Sequence, residues 1–348
     1  MQVFLAWAQA ALDTPPAIFH GQKVEDAMLQ YFYRPSPPPT RRTRTASDQE
    51  WAIYDPILGR PPIRWPNNAR LAFWLCVGVL DYEFVPPHDP WLDPWARMPP
   101  PDVLGYCRQE FGNRVGFWRV LKAIDKYAIP TTAVANVTAL ELYPDITRAI
   151  VERRWDILGH GLSNTRFFYG SAEDEERTYY RDLIARVEAL TGLRMKGMGG
   201  PGPQVGTEST PDLLAEAGFL YHSDWFMDDQ PVPLRVRAGK LIAMPYSVEM
   251  NDVSVIAATE ADVFFDDARR QFDRLYREGA ESGRVMCLSL HPPLIGQSQR
   301  IGYLESFLAY VTSFADIWLA TGAEIAEYYM ANYHDAELRR LDREQASR

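Results

Sequence analysis

Short apolar runs alternate with amphipathic stretches along the chain from residue 69 onward. The first run, residues 71–80 (LAFWLCVGVL), holds no charged or hydrogen-bonding group apart from its tryptophan and cysteine, which is typical of a parallel strand buried on both faces. Amphipathic stretches such as 172–190 carry their apolar residues on one side at helical spacing. The pattern predicts strands at 71–80, 130–137, 155–159, 195–199, 219–222, 241–246, 284–290 and 317–319, and helices at 114–127, 140–153, 172–190, 211–217, 261–278, 301–313 and 322–330.

This alternation predicts an α/β fold with a parallel sheet of about seven strands. For this number of strands and this length, a (β/α) barrel is more economical than an open sheet. A doubly wound nucleotide-binding fold is disfavoured, because such folds carry a glycine-rich loop after the first strand. Here the first strand is followed by Asp81, Tyr82 and Glu83.

The barrel pattern accounts for residues 65–332, and the chain on either side has a different character. Residues 1–64 are predicted to form an N-terminal arm that is first helical and then rich in proline. Residues 333–348 are predicted to form a charged tail that frays. The arm is too apolar for a free tail, so we expect it to pack against a neighbouring subunit of a homo-oligomer.

The composition narrows the classes of partner. The 348 residues include 46 acidic and 36 basic side chains, and the net charge of −10 argues against nucleic acid and against a polybasic membrane anchor. No apolar run approaches the ~18 residues that span a bilayer, and the N-terminus lacks the basic residues of a secretion signal. The three cysteines are far apart and form neither a disulfide framework nor a CxxC metal site, so we expect a cytoplasmic protein.

Ionisable residues follow the ends of several predicted strands. In a (β/α) barrel the active site lies at the carboxyl ends of the strands. Asp81 and Glu83 follow the first strand. His160, Asp224 and His291 follow three others. One such residue is weak evidence, but several strand ends that deliver carboxylates and imidazoles to one rim predict a catalytic site.

Asp81 and Glu83 are two residues apart and point to the same face if the strand continues. Two adjacent carboxylates repel each other, which raises the pKa of one and makes it a candidate general base. In the alternative interpretation, one carboxylate holds the loop and the other pairs with an arginine. His291 precedes two prolines, whose fixed φ gives it the rigidity that suits a general acid.

Other polar and glycine positions are candidates for binding a substrate. Asn164 lies four residues after His160, one helical turn away, and its amide is a better hydrogen-bonding group than a metal ligand. Gly200 and Gly202 lie in the loop 199–203 (GGPGP), which either lets a backbone approach a ligand closely or forms a simple turn. The remaining candidates, from polar loops beyond other strands, are Asp224, Trp225, Asn251 and Arg300.

The order of these motifs resembles that of one enzyme family. The acid pair is followed by His-Gly-x-x-Asn at 160–164, a Gly/Pro loop, an apolar run that ends in His291, and Gly296-x-x-x-Arg300. This order is similar to that of the polysaccharide deacetylases of carbohydrate esterase family 4, closest to the branch with allantoinases, cyclic imide hydrolases and a peptidoglycan deacetylase. The resemblance covers about residues 65–329 and implies an irregular (β/α) barrel with fewer than eight strands.

The resemblance also implies chemical roles. Family members hydrolyse a C–N bond of an N-acetyl amide or a cyclic amide. In the deacetylases a carboxylate and a His-x-x-x-His pair hold a divalent metal, a second carboxylate activates water, and a late histidine protonates the leaving nitrogen. Carried onto this chain, Asp81 is the base, Glu83 is the metal-side acid, and His291 is the proton donor. His160 is the first histidine of the pair.

Asn164 stands where the family has the second histidine of the pair. A zinc site of Glu83, His160 and Asn164 is weak, because zinc prefers three strong nitrogen, sulfur or carboxylate ligands. Two alternatives therefore stay open: the site binds one divalent metal such as zinc, or it binds no metal. The choice between Asp81 and Glu83 as the base stays open as well.

The sequence thus predicts a hydrolase of a non-peptide C–N bond in a small amide or cyclic amide. The first alternative is a metal-dependent N-deacetylase of an amino sugar or glycan, with Trp225 stacked on a sugar ring. The second is a non-catalytic binding protein on the same fold, in which the missing second histidine marks lost catalysis.

Overall fold

The structure is a computed structural model that describes residues 50–86, 101–166, 168, 170–201, 206–253 and 260–346. Residues 1–49 of the predicted arm and Gly202 of the predicted loop lie outside the described residues. The strands are β1 (Leu71–Val79), β2 (Thr131–Ala135), β3 (Asp156–Gly159), β4 (Gly197–Met198), β5 (Tyr221–His222), β6 (Val232–Leu234), β7 (Leu241–Ala243), β8 (Arg284–Leu290) and β9 (Ile317–Leu319).

The helices lie between and after these strands. They are α1 (Val103–Phe111), α2 (Phe117–Tyr127), α3 (Val137–Leu142), α4 (Pro144–Glu152), α5 (Glu173–Thr191), α6 (Thr210–Ala217), α7 (Ala261–Glu278), α8 (Pro292–Ile295), α9 (Ile301–Val311), α10 (Gly322–Asn332) and α11 (His334–Ala346). A five-residue π-helix, Gly112–Gly116, joins α1 to α2. The helix predicted over 140–153 is divided at Pro144, because proline cannot donate the backbone hydrogen bond of a helix interior. None of the described helices is long and apolar enough to cross a membrane.

The strands form one sheet in the order β6-β7-β5-β4-β3-β2-β1-β8, with β9 paired to β1. All pairings are parallel except that of β6 with β7. β8 runs along one side of β1, while β9 pairs with the start of its other side and β2 with the end. The predicted parallel α/β sheet is confirmed, and the short antiparallel strand β6 is a strand that the apolar pattern does not predict.

Loops, rather than a strand ladder, connect the two ends of the sheet, β6 and β8. The Val285 N–H donates to the Asp229 carbonyl at 2.9 Å, and Asn251 forms an isolated parallel bridge with Ser289. The Gln230 side chain donates to the Gly283 carbonyl at 2.7 Å. The sheet is therefore a curled, irregular barrel, as the resemblance implies.

Both faces of β1 are covered, so every residue of the strand is buried. Leu75 belongs to the core between the sheet and the helices, whereas Trp74 belongs to the separate core inside the barrel. The Trp74 Nε1–H donates to Thr132 Oγ1 at 2.8 Å, and its ring packs edge-on against Tyr221 and Tyr246. This explains why the sequence of β1 is uniformly apolar, since neither face meets water.

Asp156, the first residue of β3, closes the amino-terminal end of the barrel interior. Its Oδ2 accepts hydrogen bonds from Tyr221 Oη at 3.1 Å, Thr132 Oγ1 at 3.2 Å and the Ala323 N–H at 3.0 Å. Burial raises the pKa of Asp156, and these donors partly offset that effect. Ala323 lies in the first turn of α10, so the carboxylate also satisfies an orphan donor at a helix start.

The described part of the arm, residues 50–64, lies on the barrel. Arg60 pairs with Asp228 at 2.6 Å and with Asp55 at 3.0 Å. The Trp51 carbonyl accepts a hydrogen bond from the Arg235 N–H at 2.8 Å.

The prediction that the charged tail frays is wrong for the described residues of the tail. Residues His334–Ala346 form α11, in which Leu341 is buried. Arg340 pairs with Asp55 of the arm at 2.6 Å. The tail folds because its few apolar side chains recur at helical spacing and its charges find partners in the arm.

The interior core makes a stability prediction. Replacing Trp74 with alanine removes a fully buried indole and leaves a cavity, so we expect a loss of about 3–5 kcal/mol in the free energy of unfolding. Urea unfolding followed by circular dichroism measures this loss. Trp118→Ala is the matched control, because that indole is 39% exposed and its loss should cost clearly less. Equal losses in the two variants would contradict the assignment of Trp74 to the core.

Candidate active site

Asp81, Asn136 and His160 follow the adjacent strands β1, β2 and β3 and are joined by hydrogen bonds. The Asp81 N–H donates to Asn136 Oδ1 at 3.0 Å, and Asn136 Nδ2 donates to the His160 carbonyl. Thr138 Oγ1 donates to Asp81 Oδ2 at 2.9 Å, while no hydrogen bond within the described residues engages Asp81 Oδ1. Sequence reasoning missed Asn136 because it lies inside the predicted strand 130–137, whereas β2 ends at Ala135.

The turn after β3 is held against the end of β1. The Asn164 N–H donates to the Asp81 carbonyl at 2.9 Å, and Ser163 Oγ donates to the same oxygen at 3.1 Å. The Asn164 side chain donates from Nδ2 to the Tyr82 hydroxyl. Gly161 begins the turn with a φ of +72°, a backbone conformation that glycine adopts without strain. Asn164 therefore serves the loop, as its amide chemistry predicts.

Glu83 is engaged by an arginine. Arg166 donates from Nε to Glu83 Oε2 at 3.0 Å and from Nη2 to Oε1 at 2.7 Å, and Thr165 Oγ1 adds a bond of 2.7 Å to Oε2. Arg166 lowers the pKa of Glu83, so the carboxylate is ionised and fully partnered. Of the two interpretations of the acid pair, this arrangement matches the one in which one carboxylate holds the loop and the other pairs with an arginine.

His160 is a neutral imidazole at physiological pH. Burial lowers its pKa to about 4, and the nearby charge of Asp224 opposes that change without cancelling it. The charge of His291 lowers the pKa further. These couplings show that Asp224 and His291 both lie near His160, so three of the predicted strand-end residues share one electrostatic neighbourhood.

His291 is oriented by Asp252. The His291 Nδ1 lies 2.7 Å from Asp252 Oδ1, and the His291 backbone N–H donates to both carboxylate oxygens at 3.0 and 2.9 Å. Asp252 is fully buried, and it fixes Nδ1 as the protonated nitrogen, which leaves Nε2 for proton exchange. Sequence reasoning placed Asp252 only in a polar loop, because nothing local marks an acid whose partner is 39 residues away.

Asp224 supports the loop after β4. Both of its carboxylate oxygens accept the Gly200 N–H, at 3.0 and 3.1 Å, and Oδ2 lies 3.3 Å from His222 Nε2. The Gly200 N–H is therefore already used and is not available to a substrate. His222 is 2% exposed and is a second site residue that sequence reasoning missed, because it lies inside the predicted strand 219–222.

The other predicted substrate-binding residues have structural contacts. The Asn251 Oδ1 atom accepts a hydrogen bond of 3.0 Å from the Val253 N–H. The Trp225 ring packs edge-on against Trp51 with centroids 6.0 Å apart, and Arg300 is the residue before α9. Among the contacts of the described residues, none joins Trp225 or Arg300 to the strand-end side chains.

Comparison with known proteins finds similar sequences and folds over most of the chain. No protein-family model matches the chain. A Schizosaccharomyces pombe protein named as a polysaccharide deacetylase is 28% identical over 302 residues, which cover 77% of this chain and 93% of that protein. The crystal structure of a probable polysaccharide deacetylase from Pseudomonas aeruginosa PAO1 has a TM-score of 0.69 at 27% identity and covers 79% of this chain and 95% of its own. The allantoinase Puue has a TM-score of 0.67 at 28% identity, with the same shares of 79% and 95%.

These similarities to polysaccharide deacetylases and to an allantoinase extend over 77–79% of the chain and support the family that the sequence motifs resemble. Deacetylation and allantoin hydrolysis both break a carbon–nitrogen bond that is not a peptide bond. The similarity to these proteins supports the predicted class, hydrolases of non-peptide C–N bonds.

The metal that the polysaccharide deacetylase resemblance implies does not fit the residues that would hold it. Both oxygens of Glu83 are bonded to Arg166, and Asn164 offers an amide in place of an imidazole. Within the described residues, no group of three or more His, Cys, Asp and Glu side chains is arranged to hold a metal ion. In the predicted set, only His160 is left as a strong metal ligand. A catalytic zinc site needs three such protein ligands.

The first prediction from the site concerns metal removal. Because Arg166 occupies both oxygens of Glu83 and Asn164 stands where the family has a histidine, we expect prolonged dialysis against EDTA or dipicolinate to leave kcat unchanged. Added zinc should not raise kcat either. Elemental analysis of the purified protein and steady-state assays before and after dialysis measure this. Loss of turnover on dialysis that zinc restores would contradict it.

The second prediction concerns the protonation of His160. In a ¹⁵N-histidine NMR titration, its ring should stay neutral through physiological pH and titrate at a pKa of about 4. Because this pKa lies below the ordinary value of 6.5, the stability that neutral His160 contributes is complete above pH 6.5 and is lost as the pH falls towards 4. His160→Gln identifies the resonance and should weaken this acid-side loss of thermal stability. A midpoint near the ordinary value would show that the ring is not desolvated.

Proposed function

We propose that the protein hydrolyses a C–N bond of a small amide or cyclic amide, with Asp81 as the general base and His291 as the general acid. The observation that carries the proposal is the adjacency of the two groups on the paired strands β1 and β8. A Cβ atom added at Gly78 would lie 3.2 Å from Cδ2 of His291, so the imidazole rests on β1 three residues before Asp81.

The two groups differ in the way that the reaction requires. Asp81 has one carboxylate oxygen, Oδ1, without a hydrogen bond within the described residues, and that atom can accept a proton from water. Glu83 is unsuited to this role, because Arg166 stabilises its ionised form and occupies both oxygens. Asp252 holds the Nδ1 side of the His291 ring, so Nε2 is the nitrogen that can donate a proton to the substrate.

The reaction balances with these two residues. Asp81 takes a proton from water as the water oxygen bonds to the carbonyl carbon. In the tetrahedral intermediate the former carbonyl oxygen carries the negative charge. That charge collapses to reform the C=O bond as the C–N bond breaks, and His291 gives its proton to the leaving nitrogen. A cyclic substrate opens to one product, which carries the new carboxylic acid and the freed nitrogen.

His160 is the candidate for stabilising the oxyanion. Its lowered pKa keeps the imidazole neutral, and a neutral ring has one N–H that can donate to a developing oxyanion. The Gly200 N–H, which sequence reasoning included as a donor, is excluded from this role because Asp224 accepts it. The Asn136 bond to the His160 carbonyl holds the residue in place relative to Asp81.

Two observations support a small substrate over a glycan. The ring of Trp225, the predicted stacking surface for a sugar, packs against Trp51 of the arm. Both oxygens of Glu83, the carboxylate of the predicted metal set, are bonded to Arg166. The similarity to an allantoinase over 79% of the chain supports a cyclic amide as the substrate type.

The test is an assay of hydantoins, cyclic imides and ureides beside N-acetylated oligosaccharides, with variants of the two catalytic candidates. We expect turnover of a small amide, and we expect Asp81→Asn and His291→Asn each to lower kcat by about 10²–10⁴-fold, as the loss of a general acid or base does. Acetate release from the oligosaccharides without turnover of small amides would support the glycan deacetylase instead.

His334→Asn is a matched control for His291→Asn. His334 also contacts an aspartate through Nδ1, with 2.8 Å to Asp335 Oδ1, but it is the first residue of α11 and does not follow a strand. This variant should retain kcat at temperatures where it is folded. Comparable losses of kcat in the two histidine variants would contradict a chemical role for His291.

A further inference from the structure

The π-helix Gly112–Gly116 contacts the chain on both sides of the proposed reaction centre. It packs against α8, which begins immediately after His291, and it also reaches the end of β1 immediately before Asp81. Helical turns of this kind are rare and occur often at functional sites. Neither the sequence motifs nor the proposed chemistry gives this segment a role.

The contact with α8 depends on glycine at two positions. A Cβ atom at Gly116 would lie 2.1 Å from the carbonyl oxygen of Pro292, and one at Gly112 would lie 2.4 Å from Cγ of Pro293. Both distances are far inside van der Waals contact. Pro292 and Pro293 have fixed φ angles, so the turn after His291 has little freedom to move away.

The residue after α8 that meets Gly116 is also a glycine, Gly296. A Cβ atom at Gly296 would lie 2.4 Å from the Cα of Gly116. Arg119 of α2 donates from Nη1 to the Gly296 carbonyl at 2.9 Å and so holds the end of α8. The position of His291 follows that of α8, because the Leu294 and Ile295 N–H groups donate to the His291 carbonyl at 2.8 and 3.1 Å.

The contact at the end of β1 is a hydrogen bond to Leu80, the residue that follows the strand. Asn113, which is 9% exposed, donates from Nδ2 to the carbonyl of Leu80 at 3.1 Å. Leu80 precedes Asp81, so this bond fixes the peptide from which the proposed base projects. One rigid turn therefore contacts the backbone next to the base through Asn113 and the backbone next to the acid through Gly116.

We propose that the π-helix Gly112–Gly116 sets the separation between Asp81 and His291, with Asn113 and Gly116 as positioning residues. The proposal rests on the proposed function, because it assumes that these two groups exchange protons with the substrate. Neither Asn113 nor Gly116 touches the substrate. Their effect on the reaction passes through the backbone at Leu80 and Pro292.

The experiment compares Gly116→Ala with Gly302→Ala, using the full-length protein and the best small amide substrate. A Cβ at Gly302, in α9, meets no atom within 4 Å, so that variant should retain the kcat of the wild type. Gly116→Ala should lower kcat at least tenfold with little change in KM, since proton transfer is lost and binding is kept. The loss should be larger for substrates whose leaving nitrogen is more basic, a dependence that general loss of stability would not produce.

A double-mutant cycle separates positioning from destabilisation. If Gly116 acts through His291, adding Gly116→Ala to His291→Asn should cost little further activity. Equal losses in the two backgrounds, or a fall in melting temperature with unchanged kcat, would overturn the proposal. If Gly116→Ala does not fold, Asn113→Ala, which removes the hydrogen bond to the Leu80 carbonyl, serves the corresponding cycle with Asp81→Asn.

The two proposals fail in different ways. If His291→Asn itself leaves kcat unchanged, the proposed function is wrong and the positioning role falls with it. If His291→Asn lowers kcat while Gly116→Ala and Asn113→Ala do not, the chemistry stands and the positioning role alone is wrong.

Discussion

Parallel pairing around the buried strand β1 is the constraint on which the rest of the structure depends. β1 pairs with β2, β8 and β9, and all of these strands run in its direction. Their carboxyl ends must therefore meet at one rim, and Asp81 and His291 become neighbours although they are far apart in the chain. The same pairing leaves the amino-terminal end to the Asp156 network, so this network and the proposed catalytic residues lie at opposite ends of the barrel.

Hydrogen bonding at this rim distinguishes Asp81 from the other carboxylates. Glu83 is bonded to Arg166, Asp224 to the Gly200 N–H, and Asp252 to His291. Each of these acids holds a loop or orients a side chain. Asp81 keeps one oxygen without a bond within the described residues. The residue type alone does not distinguish the acids that hold a loop or orient a side chain from Asp81. The distinction depends on which groups donate hydrogen bonds to each carboxylate.

The sequence was sufficient for the strands and for the residues that follow them. β1 and β8 are long apolar runs, and Asp81 and His291 come directly after them, so local pattern and the barrel rule locate both. The partners of these residues were out of reach, because Asp252, Asn136 and the donors to Glu83 lie on other loops whose approach is set by tertiary packing. The frayed tail was an error of the same origin, since the acidic partner of Arg340 lies in the arm, 285 positions away.

The short strand β6 has a consequence for association between molecules. It forms one end of the sheet, and an exposed sheet edge is a template on which another chain can add a strand. Pro233 has no N–H to offer such a chain, and the N–H of Arg235 is already donated to Trp51. A continuous intermolecular sheet at this edge is therefore disfavoured.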